Sequence, residues 1–400
     1  MHSVDVLVVT AIKEEYDAAR ALGGLSSWAD HDEDEPAPYS TARYGTLAVA
    51  LARPTRMGGR NTSPITTILA HRLRPACLAM CGVCAGKPGA TAPGDVVVAT
   101  SAYEWDEGKQ TARQFRADHQ AFELEDRWVR AVQEFEPSGL RSHGVATEEE
   151  AELWYLERLL KKQNPRNHPS QDRYFPRATW ETRLERLRAS GFVQWQDGQF
   201  VLTEPGRTHI EQVLYIDVDG PDRMPFVVRP GAMASGSSVR ANSRIWAELE
   251  VRKRDTLAVD MEAATIATVA RDQQIRHWLV AKGVMDHADP GKDDRFKAFA
   301  ARASAEVLFE LLQRLLKPPP PAMPVPGPVR HEFTLQLRYR WPDVAGLLGV
   351  PAHETRRFRA GDESHDLWRW LEQQRRLADL PEALDEIGLS DLAERLRPHL

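Results

Sequence analysis

Residues 258–289 read AVDMEAATIATVARDQQIRHWLVAKGVMDHAD, and the placement of their acidic side chains suggests chemistry. Asp260, Met261 and Glu262 open what reads as an apolar helix running to about Gln274. The strand HWLVAKGV follows and ends on Asp286 and Asp289. A carboxylate at a helix start and another beyond the carboxyl end of a strand lie where open α/β sheets bind ligands. A further acidic pair, Glu14 and Glu15, follows the first apolar run, VDVLVVTA. Separated carboxylates of this kind can divide acid and base work, one donating a proton while another accepts one.

The elements that would carry these residues alternate. VDVLVVTA, GTLAVALAR, CLAMCGVCAG and GDVVVATSAYEW read as strands, with EEYDAARALG and NTSPITTILAHRLRP as helices between them. Such alternation predicts a sheet flanked by helices, an α/β core over residues 1–140. The core is interrupted at about residue 141 and resumes at about 214, ending near 316. Within 141–213, TWETRLERLRASGFV is an amphipathic helix, VQWQDGQFVLT is a hairpin turning at Asp197-Gly198, and EPGRTHIEQV is a second helix. Helix, hairpin and LTEPGR together resemble a winged-helix module. Ten Lys and Arg against eight Asp and Glu over 151–213 make a thin surface for neutralising phosphates. Oligomer contacts, a cover over the active site or partner recognition are therefore favoured over nucleic acid.

The composition is that of an ordinary globular protein, 42% hydrophobic and 28% charged over 400 residues, a length that suggests two or three domains. A net charge of -6 argues against a dominant nucleic-acid or membrane surface. No apolar run approaches the roughly 20 residues of a membrane span, and MHSVDVLVVTAIKEE reads as a buried strand rather than a signal peptide, so a cytoplasmic location is expected. Cys77, Cys81 and Cys84 are the only cysteines. Their C-x3-C-x2-C spacing lacks a fourth thiol and reads as a buried strand and turn, and no metal or other cofactor is implied.

Residues 317–330, KPPPPAMPVPGPVR, are half proline and predict an extended spacer. Beyond it, residues 331–400 place Trp341, Leu347, Phe358, Leu367, Trp368, Leu371, Leu384 and Leu392 at helical spacing, with Pro351, Gly361 and Gly388 marking turns. This segment resembles the small α-helical effector-associated or death-like domains that bacteria fuse to toxic enzymes in anti-phage systems. The resemblance implies a protein partner with a similar domain, a C-terminal dimerisation bundle being the alternative. Its basic side chains, His apart, are all Arg, which suits protein interfaces.

Four blocks occur in order over residues 4–316: TAIKEEYDAA, MCGVCAGKPGATAPGDVVVA, GAMASGSSV, and the DMEAATIA to GVMDHAD stretch. Together they resemble the nucleoside phosphorylase/nucleosidase superfamily, closest to methylthioadenosine/S-adenosylhomocysteine nucleosidases. The expected fold is α/β, a nucleoside-phosphorylase-like three-layer core with a winged-helix-like insertion and a small all-α C-terminal domain.

By that resemblance Glu15 positions and deprotonates the attacking water, Glu262 accepts hydrogen bonds from the ribose hydroxyls, and Met261 packs on the ribose. Asp286 bonds the purine and assists its protonation. The remaining expected substrate contacts are Ala11, Gly82, Val83, Val239 and Arg240, with Arg56 and Arg60, beside Arg53, available to anionic groups. Asp289 is expected to cap the turn and helix DPGKDDRFKAF. TAIKEE stands where phosphorylases carry a Gly-Asp-Pro-x-Arg phosphate loop, which favours hydrolysis. Val239 and Arg240 replace an aromatic and an aliphatic residue, and Met285 replaces the usual Ser before the Asp; these changes favour a 5′-phosphorylated nucleotide over a thioether substrate.

The expectation is a purine nucleosidase acting on an adenine nucleoside or nucleotide, ATP included, as a homo-oligomeric effector. A housekeeping methylthioadenosine/S-adenosylhomocysteine nucleosidase or purine nucleoside phosphorylase is the first alternative. A nucleotide-sensing winged-helix regulator is the second.

Overall fold

The computed structural model describes residues 4–31, 36–110, 115–117, 120–238, 242–289, 294–316, 325–374 and 376–399. The described chain separates into two compact units, residues 1–317 and 318–400.

The first unit opens with β1 (Val6–Val9), a strand buried on both faces. Val6 and Val8 enter one core and Leu7 and Val9 another, because side chains alternate along a strand. There follow α1 (Lys13–Arg20), β2 (Ala29–His31), β3 (Tyr39–Tyr44), β4 (Leu47–Ala52), α2 (Gly59–Leu73), β5 (Cys77–Gly86) and β6 (Val96–Glu104). A short hairpin of β7 (Gly108–Gln110) and β8 (Phe115–Ala117) leads to β9 (Ala121–Glu123) and α3 (Asp126–Gln133). After an inserted segment the core continues with strands at Val228–Ser235, Thr256–Asp260 and His277–Asp286.

The inserted segment contains α4 (Glu148–Leu160), α5 (Gln171–Tyr174), α6 (Trp180–Ala189), β10 (Val193–Gln196), β11 (Gln199–Leu202) and α7 (Glu204–Ile216). Thr147 and Glu150 exchange hydrogen bonds at the start of α4, a capping box that satisfies two backbone donors. Asp197 (φ 48°) and Gly198 (φ 81°) are both left-handed, as the tight β10–β11 turn requires. Trp154, Tyr155, Phe175, Leu187 and Ile210 form the segment's own core. It is tied to the sheet by the buried Asp95, which accepts from Arg173, from Arg229 at 3.3 Å, and from the backbone N–H of Ala92 at 2.9 Å.

The returning strands are β12 (Val228–Ser235), β13 (Thr256–Asp260) and β14 (His277–Asp286), with α8 (Arg244–Arg252), α9 (Ala263–Asp272) and α10 (Lys297–Leu315). The main sheet has the order β13-β12-β6-β14-β5-β1-β4-β3-β2, with β9 on β6. β13 also pairs with β5 through Ala258–Gly86 and Val259–Ala85, closing five strands into a ring. One face is covered by α1, α3 and α10 around Trp128, Phe299 and Phe309, and the other by α2 and α9 around Leu69 and Ile266. Each such large apolar side chain contributes about 1.5–3 kcal/mol through burial. This mixed α/β core has three layers, as expected.

Several local expectations change. Asp260 ends β13 instead of opening a helix, and α9 begins at Ala263, because TLAVD pairs with β12 and delivers the Asp260 carboxylate to the Ala263 N–H. Leu214–Ile216 belong to α7, so the next core strand begins only at Val228. α10 starts at Lys297 with Phe296 at its N-cap, and residues 290–293, where the turn expected to be capped by Asp289 would lie, are outside the described residues.

In the second unit, α11 (Gly327–Gln336) begins inside the proline-rich stretch, with Pro328 at a first-turn position where its missing N–H costs nothing. Then come α12 (Trp341–Leu347), α13 (Ala352–Thr355), α14 (Glu363–Gln373), α15 (Leu380–Glu386) and α16 (Ser390–Leu396). Phe333, Leu337, Val344, Leu367, Trp368, Leu371, Leu384, Leu392 and Leu396 form its core, with Trp341 and Phe358 at the margin. Leu347 is exposed; its neighbour Leu348 takes the inward position. Among the described residues no helix is long and apolar enough to cross a membrane.

Candidate active site

Glu15 lies in the first turn of α1, and both its carboxylate oxygens are engaged. Oε2 accepts from the N–H of Ala11 at 2.7 Å and of Ile12 at 3.3 Å, and Oε1 accepts from the N–H of Val83 at 2.8 Å. Gly82 makes this possible: a Cβ there would collide with the Glu15 carboxylate. The close approach explains why β5 carries glycine at a buried central position. Glu15 is 2% exposed, and burial raises its pKa, with Lys282 opposing and Glu262 reinforcing the shift.

Glu262 stands at the N-cap of α9. Its Oε1 accepts from the Gly58 N–H at 2.7 Å, and the neighbouring Gly59 N–H bonds the Met261 carbonyl at 2.9 Å. The loop before α2 is thereby fastened to the start of α9, with the half-buried Met261 beside Gly58. Arg56 and Arg60, in and just after this loop, are exposed. Arg53 is engaged with protein, its guanidinium over the Tyr16 ring and its Nη1 donating to the Pro54 carbonyl.

Between the two glutamates lies a residue that the motif analysis did not single out. Lys282 of β14 is fully buried, in register with Gly82 on β5, and its Nζ is 3.4 Å from Glu262 Oε2 and 3.7 Å from Asp260 Oδ2. Burial would lower its pKa, but Glu15, Glu262 and Asp260 together outweigh that effect and keep the ammonium charged. A lone lysine inside the apolar run HWLVAKGV was the available signal, since a buried lysine needs partners.

Burial, reinforced by the neighbouring Glu262 charge, makes Glu15 and Asp260 retain protons more readily than free carboxylates do. Asp260 is raised to about 6 by burial, with Lys282 opposing and Glu262 adding to the rise. Its role in the fold is also clear: it accepts from Ser235 Oγ at 2.7 Å and from the Ala263 N–H at 2.9 Å, which satisfies the start of α9. Glu104, at the end of β6, is raised to about 7 by burial and by the nearby Asp260, Asp106, Glu107 and Glu262.

Asp286 closes β14, after a register shift between Val284 and Asp286. Its Oδ1 accepts from the Ala288 N–H at 2.8 Å. The next residue is held from two sides: His287 Nδ1 meets the Gly86 carbonyl at 2.7 Å, and the His287 carbonyl accepts from Trp246 Nε1 at 2.9 Å. Thus Ala11, Glu15, Gly82, Val83 and Glu262 are joined around Lys282, while Asp286 stands four residues further along the same strand. Val239 and Arg240 lie outside the described residues. Cys77, Cys81 and Cys84 are buried in β5, and burial raises all three thiols.

Residues 327–399 match the family Bacterial Death-like domain 3. A 110-residue stretch is 34% identical to an uncharacterized protein, y4jS, of Sinorhizobium fredii, and spans 26% of each protein's length. Among solved structures, similar ones include the 5′-methylthioadenosine/S-adenosylhomocysteine nucleosidase of Neisseria meningitidis in complex with methylthio-immucillin-A, at 16% identity and TM-score 0.47, covering 78% of this chain and 99% of that one. The MTA/SAH nucleosidase of Streptococcus pneumoniae in complex with 8-aminoadenine is 18% identical, with TM-score 0.47 and coverage of 78% and 100%. Futalosine hydrolase of Helicobacter pylori is 15% identical, with TM-score 0.46 and coverage of 78% and 97%. Residues 5–155 and 198–317, more than half of the chain and including the strands and helices that carry Glu15, Glu262, Lys282 and Asp286, match the Phosphorylase superfamily, and the chain belongs to that family.

Proposed function

We propose that this protein is a purine nucleosidase that hydrolyses the N-glycosidic bond of an adenine nucleoside or nucleotide, with ATP among its substrates, and that it acts as an anti-phage effector recruited through its death-like domain. The observation that carries the reading is the joining of Glu15 and Glu262 around the buried Lys282, with Asp286 at the end of the same strand. In this reading Glu262 accepts the ribose hydroxyls, and these bonds strengthen as the sugar gains positive charge. Glu15 takes a proton from water as the water oxygen bonds to C1′. The electrons of the C–N bond pass to the purine, which Asp286 helps to protonate. A base raised by burial is better matched to neutral pH than a free carboxylate.

Water is favoured over phosphate as nucleophile because a phosphate dianion would enter a cluster in which three carboxylates already exceed one ammonium. Arg56 and Arg60 flank the loop bonded to Glu262 and suit a 5′-phosphate. The helix, hairpin and helix of residues 180–216 fit a winged-helix-like module. Homo-oligomer assembly and a cytoplasmic location belong to the same proposal.

The test is product chromatography after incubating the full chain, and its Glu15→Gln variant, with ATP, AMP, adenosine and methylthioadenosine, each with and without phosphate. Adenine released from ATP or AMP without phosphate, and absent with the variant, is the expected result. Turnover confined to methylthioadenosine, or dependent on phosphate, would replace this reading with the housekeeping enzyme.

A further inference from the structure

α10 has two working faces. Its inward residues meet the candidate site: Ser304 Oγ accepts from the Gly82 N–H at 3.1 Å, and Gly283, next to Lys282, packs so closely on the Ala300 backbone that it has no room for a Cβ. Its outward stripe, together with Arg295 just before it, holds the inserted segment. Glu306 accepts from the Ser142 N–H at 2.9 Å and from Ser142 Oγ at 3.0 Å, where the insertion leaves the core. Arg302 donates to the Pro221 and Asp222 carbonyls at 3.0 and 3.2 Å, where it returns.

Arg295 makes the longest reach. Its Nη2 is 2.8 Å from Glu157 Oε1 on α4, and its Nη1 is 3.1 Å from Asp217 Oδ2 beyond α7. Glu157 is buried and also receives Arg158 at 2.8 Å and Lys161 at 2.9 Å. Burial alone would raise this carboxyl, yet Arg158, Lys161 and Arg295 hold it at about 2. Residues 302 and 306 fall on one helical stripe and 300 and 304 on another, while Arg295 stands two residues before the helix.

Resting on the nucleosidase reading for its catalytic consequence, we propose that Arg295 is a positioning residue: by joining Glu157 and Asp217 of the insertion to the start of α10, it sets the position of Ser304 and Ala300 against Gly82 and Gly283, and so of the Glu15–Lys282 centre. The insertion is then the element through which a bound partner can alter turnover. α10 transmits the change as a rigid body because its inner side is buried throughout its length, with Phe299, Ala303, Leu308 and Leu311 in the core.

The experiment compares the full chain with Arg295→Met, Arg295→Lys, Glu157→Gln and, as a control, Glu148→Gln. Glu148 pairs with Arg183 and Arg186 within the insertion and makes no described contact with α10. Two readouts are taken: hydrogen exchange of the peptide spanning 80–86, and adenine release from whichever of ATP, AMP, adenosine or methylthioadenosine the wild type cleaves. Arg295→Met is expected to speed exchange at the Gly82 amide about tenfold and to lower kcat about tenfold, with KM changed less than about twofold. Arg295→Lys should restore part of both, Glu157→Gln should lie between Arg295→Met and wild type, and Glu148→Gln should match wild type.

Wild-type protection at Gly82 in folded Arg295→Met protein overturns the proposal. If Arg295→Met does not fold, Glu157→Gln decides in the same way. Should the wild type cleave none of the four substrates, the nucleosidase reading fails while the exchange result still decides the coupling.

Discussion

The two units of this chain bury different things. The first encloses Glu15, Asp95, Asp260, Glu262 and Lys282 within its sheet, with Glu157, Arg158 and Glu306 where the insertion docks. The second, among its described residues, buries Ser364 as its only polar side chain, and its ion pairs, such as Arg395–Glu332 and Arg359–Asp366, lie at the surface. Taking a charge out of water is costly unless partners compensate it. A fold that needs only stability can avoid the cost, as the helical unit does. Where the first unit accepts it, Glu15, Asp260, Glu262 and Lys282 converge on the candidate site, while Asp95, Glu157, Arg158 and Glu306 are compensated where the insertion docks.

The contrast can be broken most severely at Glu15. Glu15→Gln keeps the shape and an acceptor for the Val83 N–H but removes the proposed base, and is expected to lower turnover about 10²- to 10⁴-fold in the chromatographic assay, with an unchanged far-UV spectrum. Lys282→Met should show what the buried ammonium holds together. Denaturant unfolding is expected to report a loss of about 3–5 kcal/mol, because the carboxylates around it remain buried without their cation. In the helical unit the equivalent probe is apolar: Leu367→Ala should cost that unit about 2–5 kcal/mol while leaving turnover of free nucleoside unchanged. A parallel loss of turnover would show that the two units are not independent.

Proton linkage sharpens the comparison. Asp260 and Glu104 have folded pKa values above their ordinary ones, about 6 and about 7, so the folded state binds protons more tightly than the unfolded chain between roughly pH 4 and 7. The contribution of these two carboxyls to stability should therefore fall as pH rises through that window, while His143, His168, His277 and His287, held below the ordinary imidazole value mainly by burial, contribute in the opposite sense up to about pH 6.5; Glu104→Gln should remove the carboxyl contribution near pH 7. A difference in stability between wild type and Glu104→Gln that does not fall between about pH 4.5 and 7 would contradict the buried-acid description. The smallest effect belongs to the second unit's surface: Arg395→Gln, which removes the ion pair to Glu332, should change stability by less than about 1 kcal/mol.

Much of this was legible in the sequence, for identifiable reasons. β5 was readable because CLAMCGVCAG is an unbroken apolar run with small residues, and the β10–β11 turn because Asp-Gly favours left-handed backbone. Glu15 and Glu262 were marked by their motifs. Lys282 was not, since its meaning depends on three carboxylates that approach it from separate elements. Asp260 was misplaced because one residue can close a strand and satisfy the next helix, and periodicity cannot separate the two. The start of α11 was hidden by prolines that also fit a spacer. The two-faced character of α10 was invisible for a related reason: its outward Arg302 and Glu306, with Arg295 just before it, look like ordinary solvated residues until the insertion is in place.

The insertion leaves and re-enters the core through touching backbone, with the Met224 N–H on the Ser142 carbonyl and the Gly144 N–H on the Met224 carbonyl, each at 3.2 Å. Such a doorway lets a whole cassette be exchanged without rethreading the main sheet. A chain that carried a different cassette at the same doorway would keep its reaction and answer to a different input, so that novelty in this architecture can arise by replacement of parts instead of by retuning the chemistry.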